Sequence, residues 1–389
     1  MAKPIYLDCN ATTPVDPQVL SAMLPFFTEY FGNPGSLNHS YGWEAEAGVE
    51  KAREILASAI AASPAEIIFT SGATEANNLA IKGVAESYMS EGRHLITVQT
   101  EHSAVLEPCR YLEKSGFEVT YLPVDSDGLI ELETLKNAFR PDTILVSVMA
   151  ANNEIGVLQP IGKIGKLCRE RNILFHTDAA QALGKISLNV EEMQIDLLSM
   201  TAHKLYGPKG IGALYVRRKN PRVQLSPQLH GGGQERGIRS GTLYPPQIVG
   251  FGEAARLAIA EMNTEGQRLS GLRDRLWNSL STIPNIELNG HPTQRLPNNL
   301  SVSFGDVDGS ALLTGVRDAI AISSGSACSA AKTTPSHVIQ AIGRSSAQAK
   351  ATLRFGLGRQ TALEDIDTAA ATVTKAVKLQ RGENVSIYS

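Results

Sequence analysis

The strongest constraint on the fold is the alternation of short apolar runs with helical patterns over roughly the first 245 of the 389 residues. The apolar runs are continuous rather than alternating with polar residues, as in strands buried on both faces of a parallel sheet. The strand runs are 67–69, 94–98, 144–149, 173–175 and 213–216, and the helical patterns include 76–90, 103–115 and 160–171. This order predicts an α/β domain with a mostly parallel central sheet covered by helices.

A different pattern follows residue 245. A long helical stretch reaches about residue 282, and strand-like runs and short helices then alternate to the end of the sequence. This change predicts a linking helix and a smaller α+β domain. We expect a large domain over residues 15–260 and a small domain formed by residues 1–14 together with 261–389.

Composition and charge exclude several classes of protein. The net charge of −3 favours neither a nucleic acid partner nor another polyanion, and no apolar run reaches the roughly 18 residues of a membrane span. The first residues lack the apolar core of a secretory signal. The four cysteines are scattered without a C-x-x-C pair, so neither a disulfide framework nor a resident metal is expected. A reducing, cytoplasmic location fits these features best.

Lys204 has the surroundings of a cofactor-binding lysine. It lies in a loop of small residues framed by glycine and proline, and an earlier strand-like run ends at Asp178. A lysine can hold an aldehyde cofactor as a Schiff base, and a carboxylate can pair with a pyridinium nitrogen. The two residues together predict a site for pyridoxal 5'-phosphate.

The segment 67–78 reads as a strand, a tight turn at Gly72 and the start of a helix. Backbone N–H groups at a helix start attract an anion, and the Thr74 hydroxyl can add a donor. An ordinary helix cap is the alternative explanation of this motif by itself. Combined with Lys204, it favours a phosphate site, which His203 and the segment 240–242 can complete.

Cys328 lies in a run of small residues without the apolar periodicity that buries a structural cysteine. This setting favours a nucleophile on a mobile loop at about residues 323–334, although an exposed cysteine without a function is the alternative. Cys109 and Cys168 lie inside helical patterns and are expected to be structural. The role of Cys9 stays open at this point.

In their order along the chain, these and other short motifs resemble the cysteine desulfurases of the class-V aminotransferase family. Those enzymes have the fold-type I architecture of pyridoxal phosphate-dependent transferases. The matching segments are 7–14, 32–34, 71–75, 100–102, 152–156, 178–181, 202–204, 239–242, 324–328 and 353–355. Each motif is short, but the ordered set covers nearly the whole chain.

The resemblance implies a role for each matching position. Lys204, His102 and Cys328 would be catalytic, with Lys204 as the Schiff-base lysine and His102 stacked on the cofactor ring. Asp178 would pair with the ring nitrogen and Gln181 with the ring hydroxyl. The remaining cofactor-binding residues would be Ala73, Thr74, Asn153, Thr201, His203 and Thr242, and the substrate-binding residues Arg354, Asn153 and Asn33. Thr242 would reach the phosphate from the neighbouring subunit of a homodimer.

The resemblance further implies a reaction and its partners. L-cysteine would be converted to L-alanine, with its sulfur transferred to Cys328 as a persulfide. An acceptor protein, such as a scaffold for iron–sulfur cluster assembly or a thiolation relay, would then take the sulfur. Cys328 could also transiently ligate a cluster. The sequence does not identify the acceptor.

Three alternatives stay open from the sequence. Selenocysteine lyase and cysteine sulfinate desulfinase share the fold and the cofactor, and an ordinary aminotransferase would share the lysine and the carboxylate. A non-catalytic sulfur-trafficking scaffold is disfavoured because Lys204, Asp178, His102 and Cys328 are all present. One departure from the family pattern is Thr201, where serine is more usual.

Overall fold

The structure is a computed structural model that describes residues 3–324 and 335–383. Its strands are β1 (Ile5–Tyr6), β2 (Ile67–Thr70), β3 (His94–Val98), β4 (Glu118–Leu122), β5 (Thr143–Ser147), β6 (Leu174–Asp178), β7 (Leu197–Thr201), β8 (Gly212–Val216), β9 (Ile286–Leu288), β10 (Asn299–Phe304), β11 (Ile320–Ala321) and β12 (Thr352–Gly356). Its α-helices are α1 (Pro17–Met23), α2 (Pro25–Thr28), α3 (Ser40–Ala59), α4 (Ala73–Ser87), α5 (Ser103–Lys114), α6 (Leu132–Ala138), α7 (Ile161–Glu170), α8 (Pro245–Leu280), α9 (Gly309–Val316), α10 (His337–Ala341), α11 (Ser346–Lys350) and α12 (Leu363–Gln380).

The central sheet has seven strands in the order β2-β8-β7-β6-β5-β3-β4. Strands β3 to β7 pair in parallel, and β8 runs antiparallel to both β2 and β7. The predicted α/β architecture with a mostly parallel sheet is therefore confirmed. Strands β4 and β7 were not predicted. Strand β4 is a partly exposed edge strand, so it lacks the continuous apolar run that marks a central strand.

Side chains of the central strands enter hydrophobic clusters on both faces of the sheet, which explains their continuous apolar runs. In β2, Ile68 packs in a cluster with α4 and α5, whereas the next residue, Phe69, packs in a cluster with α3, α7 and α8. In β5, Leu145 and Val146 divide between the same two clusters. The alternation follows from the two-residue period of a strand.

A second group of elements contains the antiparallel sheet β12-β10-β9 and the two-stranded parallel sheet β1-β11. Their core joins Leu7 to apolar residues of α9, α12 and the second half of α8. The core around the large sheet draws on α8 as far as Ala258, and the second core begins at Leu269. The domain boundaries at residues 14 and 260 stay a prediction.

The carboxyl ends of the parallel strands meet at one edge of the large sheet. Asp178 ends β6 and Thr201 ends β7, while His102 and Asn153 follow β3 and β5. This edge is where ligands bind in open α/β sheets. Among the described residues, no helix combines the length and the apolar character needed to cross a bilayer.

Candidate active site

A cavity of about 540 Å³ opens at this edge of the sheet. Most of the predicted cofactor residues line it: Ala73, Thr74, His102, Asn153, Asp178, Gln181, Thr201, His203 and Lys204. Asn33, Thr242 and Arg354 are not among its lining residues. Cys328 lies outside the described residues. Tertiary folding thus brings together residues that are separated by as much as 131 positions in the sequence, from Ala73 to Lys204.

The Asp178 carboxylate is fixed by hydrogen bonds to both of its oxygens. Asn77 Nδ2 on α4 donates to Oδ2 at 2.7 Å, and the backbone N–H of Ala180 donates to Oδ1 at 2.9 Å. Both residues are buried. Donors of this kind hold the orientation of a carboxylate. Asp178 can therefore serve as an oriented acceptor for a protonated ring nitrogen.

The start of α4 forms a wall of the cavity, and the sequence predicts a phosphate site there. Gly72 precedes the helix with φ +151°, a conformation that favours glycine, and no neighbouring atom would meet a Cβ placed there. Residues 73 and 74 occupy the first helical turn, whose N–H groups have no acceptor within the helix. The turn therefore offers backbone donors to an anion, and a phosphate site there stays a prediction.

Glu75 ties this turn to the segment that contains Thr242. Its carboxylate accepts from the Ser71 N–H at 2.7 Å and from Arg239 Nε at 2.7 Å. Burial acts to raise the pKa of Glu75, but the hydrogen bonds from Arg239 and Ser71 outweigh it and the pKa is lowered. Thr242, three residues beyond Arg239, is exposed, so its side chain is accessible to another subunit.

His102 caps α5, and its Nδ1 accepts from the Ala104 N–H at 3.0 Å. Because Nδ1 is an acceptor, the proton of the neutral ring lies on Nε2. Burial, followed by the positive charge of Lys204, lowers the pKa of His102. His102 is thus a neutral imidazole at pH 7 that lines the cavity with a single ring N–H donor.

His203 and Thr201, which were predicted to bind the phosphate, also line the cavity. Burial, and then the charge of Lys204, lowers the pKa of His203 to about 4, so the ring is neutral at pH 7 and would contact a phosphate by hydrogen bonding only. The Thr201 hydroxyl donates to the Ile211 carbonyl at 3.3 Å. A phosphate contact from Thr201 therefore requires a rotation of this hydroxyl.

Gln181 and Lys204 also line the cavity. The Gln181 Nε2 donates to the Asn10 carbonyl at 2.8 Å, which anchors the side chain to the N-terminal segment. Lys204 lines the main cavity and also a smaller cavity of about 30 Å³ that lies between the two hydrophobic cores. Lys185 lines this smaller cavity.

Arg354 is almost completely buried beside the cavity, and its guanidinium is oriented by two acceptors. Nη2 donates to Asp8 Oδ1 at 2.8 Å, and Nη1 donates to the Asn153 carbonyl at 3.0 Å. Its Nε has no hydrogen-bond partner among the described residues. Asn33 is exposed, and its side chain accepts from the Gly35 N–H within its own turn. The substrate contacts of Arg354 and Asn33 stay predictions.

The described residues fit pyridoxal 5'-phosphate on structural grounds. The cavity combines a helix start for the phosphate, a fixed carboxylate at Asp178, and Lys204. The buried Oδ1 of Asn153, which lines the cavity, has no hydrogen-bond partner among the described residues and can take one from a ligand. The described residues contain no cluster of histidine, cysteine and acidic side chains that could hold a metal ion.

Two residues near the site were not predicted from the sequence. Asn77 orients Asp178, and Asp8 pairs with Arg354. Asn77 lies in the motif that contains Thr74, and its position one helical turn after Thr74 is the only signal that could have indicated it. Nothing in the sequence around Asp8 indicates a partner 346 residues away.

Comparison with known proteins places this site in a family. The model of the aminotransferase class-V family matches residues 5–368. The chain is 55% identical over 377 residues to the cysteine desulfurase IscS of Methylococcus capsulatus, an alignment that covers 97% of this chain and 93% of that protein.

Solved structures give the same result. A NifS-like protein superposes with a TM-score of 0.88 at 39% identity, covering 97% of this chain and 100% of that one. A structure described as SspA in complex with cysteine superposes with a TM-score of 0.80 at 41% identity, covering 91% of this chain and 98% of that one. The predicted fold class is confirmed by these similarities.

Proposed function

The chain belongs to the aminotransferase class-V family and is a pyridoxal phosphate-dependent cysteine desulfurase, and from this premise we propose how its residues divide the reaction. Lys204 binds the cofactor and moves the proton at the substrate Cα. Asp178 pairs with the protonated nitrogen of the cofactor ring, and Cys328 accepts the sulfur of L-cysteine. The single observation that supports this division is the shared cavity of Lys204, His102 and an oriented Asp178.

The cofactor, when bound, withdraws electrons from the substrate Cα. Lys204 is then the group that takes the Cα proton, and it returns a proton later in the turnover. A lysine in water has a pKa of about 10.4 and is a poor base at neutral pH, so this role depends on the electrostatics around it. His102 lines the cavity with its Nδ1 held by the Ala104 N–H, so its Nε2–H is the ring donor that remains to orient the substrate.

Sulfur transfer needs a thiolate at position 328. The sulfur of Cys328 forms a bond to the substrate sulfur, the substrate Cβ–S bond breaks, and Cβ takes a proton. The products are L-alanine and a persulfide on Cys328. A free thiol has a pKa of about 8.5, so a neighbouring base must assist ionisation. The buried thiols of Cys109 and Cys168 are poor candidates, because burial raises the pKa of Cys109 to about 12 and raises that of Cys168 as well.

The assembly and the acceptor are parts of the same proposal. A homodimer would bring Thr242 to the phosphate site of the neighbouring subunit, and the exposure of Thr242 supports this arrangement. The persulfide would pass to a sulfur-acceptor protein, such as a scaffold on which iron–sulfur clusters are built. A cytoplasmic location stays a prediction from composition.

The decisive experiment measures alanine, sulfide and the absorbance of the bound cofactor for the purified holoenzyme. Cys328→Ser should abolish alanine and sulfide formation and leave the cofactor absorbance intact. Lys204→Ala should lose the lysine-linked absorbance. A Cys328→Ser enzyme that forms alanine from cysteine at the full rate would contradict the role of Cys328.

The substrate alternatives are tested in the same assay. L-selenocysteine and L-cysteine sulfinate are compared with L-cysteine at equal concentration, and amino transfer is tested with added keto acids. A higher kcat/KM on selenocysteine, or amino transfer without sulfide, would replace the proposal by a lyase or an aminotransferase.

A further inference from the structure

The turn after Asp178 brings a second lysine under the cofactor cavity. Gly184 has φ +72°, and a Cβ at this position would lie 2.6 Å from the Cβ of Ala258 on α8. The chain therefore turns back in a conformation that glycine permits. Lys185 follows this turn, most of it is buried, and its Nζ donates to the Gln181 Oε1 at 3.1 Å.

This contact determines which end of the Gln181 amide faces which neighbour. The Nε2 end donates to the Asn10 carbonyl at 2.8 Å, while the Oε1 end accepts from Lys185. A flipped amide would oppose the Gln181 N–H groups to the Lys185 ammonium and two carbonyl oxygens to each other. Because Nε2 carries two N–H groups, one remains for a ligand of the cavity that Gln181 lines.

We propose that Lys185 is a positioning residue for the reaction: it orients the Gln181 amide so that an N–H group faces the oxygen substituent of the cofactor ring. The ammonium also polarises the amide through Oε1, which makes the Nε2–H groups better donors. This inference rests on the proposed function only in taking pyridoxal phosphate as the ligand of the cavity.

The charges around Lys185 support this role. Burial and then the charge of Lys204 lower the pKa of Lys185 to about 8, whereas Cys9 and Glu265 act to raise it. Lys185 lines the small cavity of about 30 Å³ together with Lys204, Cys9 and Glu265. Lys185 therefore remains mostly protonated at pH 7 and can act as a donor to Gln181.

The test is a double-mutant cycle on the binding of pyridoxal phosphate to the apoprotein, with the dissociation constant and the absorbance maximum of the bound cofactor as readouts. The variants are Lys185→Met, Gln181→Leu and their combination. Lys185→Arg keeps a charged donor and should restore the wild-type absorbance. Lys163→Met, at an exposed position of α7, is the matched control.

Lys185→Met should weaken cofactor binding about fivefold and shift the absorbance maximum in the same direction as Gln181→Leu. In the Gln181→Leu background it should have little further effect, because a residue that acts through Gln181 has nothing left to orient. The same weakening in both backgrounds, or an unchanged affinity and absorbance in Lys185→Met, would overturn the inference.

Two further outcomes are also decisive. If Lys185→Met does not fold, Lys185→Leu, which also removes the donor to Gln181, takes its place in the cycle under the same criteria. Wild-type enzyme that binds the cofactor but forms no alanine from cysteine would contradict the proposed function, and the cycle would still decide the role of Lys185.

Discussion

Asn77 and Asp178, 101 residues apart in the chain, meet through a hydrogen bond of 2.7 Å from Nδ2 to Oδ2. Asn77 lies one turn into α4, the helix whose start borders the phosphate side of the cavity, and Asp178 ends strand β6. One helix therefore supplies backbone donors for an anion and a side-chain donor for the carboxylate. Helix α4 therefore links the position of its own first turn to the position of the Asp178 carboxylate.

We expect Asn77→Ala to weaken cofactor binding about tenfold, because a hydrogen bond to a charged group contributes about 1.5–3 kcal/mol. The loss should appear as a higher dissociation constant of pyridoxal phosphate for the apoprotein. Asn78→Ala is the matched control, since the neighbouring Asn78 side chain donates to the Thr74 carbonyl on an exposed part of the helix. Equal affinities for Asn77→Ala and the control would contradict the role given to Asn77.

Gly72→Ala should reduce cofactor affinity and stability together. A residue with a Cβ at φ +151° carries a backbone strain of about 1–3 kcal/mol, and relief of this strain would move the first N–H groups of α4. Phosphate binding to the apoprotein and thermal unfolding are the two measurements. The control is Gly271→Ala on the exposed side of α8, where no atom would meet the new Cβ and alanine should stabilise the helix. An unchanged phosphate affinity in Gly72→Ala would argue against phosphate binding by the backbone N–H groups at the start of α4.

Arg354→Lys should raise the KM for L-cysteine by about one to two orders of magnitude, because lysine cannot reproduce the planar fork that binds a carboxylate. Cysteamine, which is cysteine without the carboxylate, is the discriminating ligand. We expect wild-type enzyme to bind cysteine far more tightly than cysteamine and the variant to lose most of this preference. An equal loss for both ligands would mean that the variant disturbs the Asp8 and Asn153 contacts of Arg354 rather than carboxylate recognition.

The stability of the protein should fall as the pH decreases below about 6.5, in part because of His176. Burial lowers the pKa of this histidine from 6.5 to about 4, so between these values the unfolded chain binds a proton that the folded chain does not. The stabilisation is present above pH 6.5 and is lost as the pH falls toward the folded pKa. From pH 7.5 to 5.5 this group should account for about 1 kcal/mol of lost unfolding free energy.

The measurement is the unfolding free energy of wild type and of His176→Gln, obtained by denaturant unfolding at pH 7.5 and at pH 5.5. The contribution of His176 is the difference between the two proteins in how much this free energy falls. The variant should lose about 1 kcal/mol less than wild type over that interval. His230→Gln, at an exposed position, is the control for the loss of a histidine that is not buried. Identical pH dependences of wild type and His176→Gln would refute the assignment.

The sequence predicted the parts of the fold that depend on local pattern. The central strands that are buried on both faces, and the helices α4, α5, α7 and α8, have apolar runs or helical periodicity of their own. The edge strand β4 was missed because it lacks a continuous apolar run, and β7, a buried central strand of five residues, was missed as well. Lys204, Asp178 and His102 were predicted to share a site, and the cavity contains all three.

Contacts between distant segments could not be predicted from local pattern. Nothing local to Asp8 indicates that it holds Arg354 in place, and the contact of Asn77 with Asp178 joins residues 101 positions apart. Such contacts depend on the register of strands and the direction of buried side chains, which are set when the core packs. The amide orientation of Gln181 likewise follows only from the two neighbours that meet it in the folded chain.

The sequence by itself determined the class of fold and the cofactor chemistry and predicted the reactive side chains, since residue type and short-range order carry that information. Only the tertiary structure decided how Asp178 and His102 are held and in which direction burial moves the pKa of His102. The physical reason is that burial and hydrogen bonds change the pKa of a group and restrict its orientation, and both arise from residues far away in the sequence.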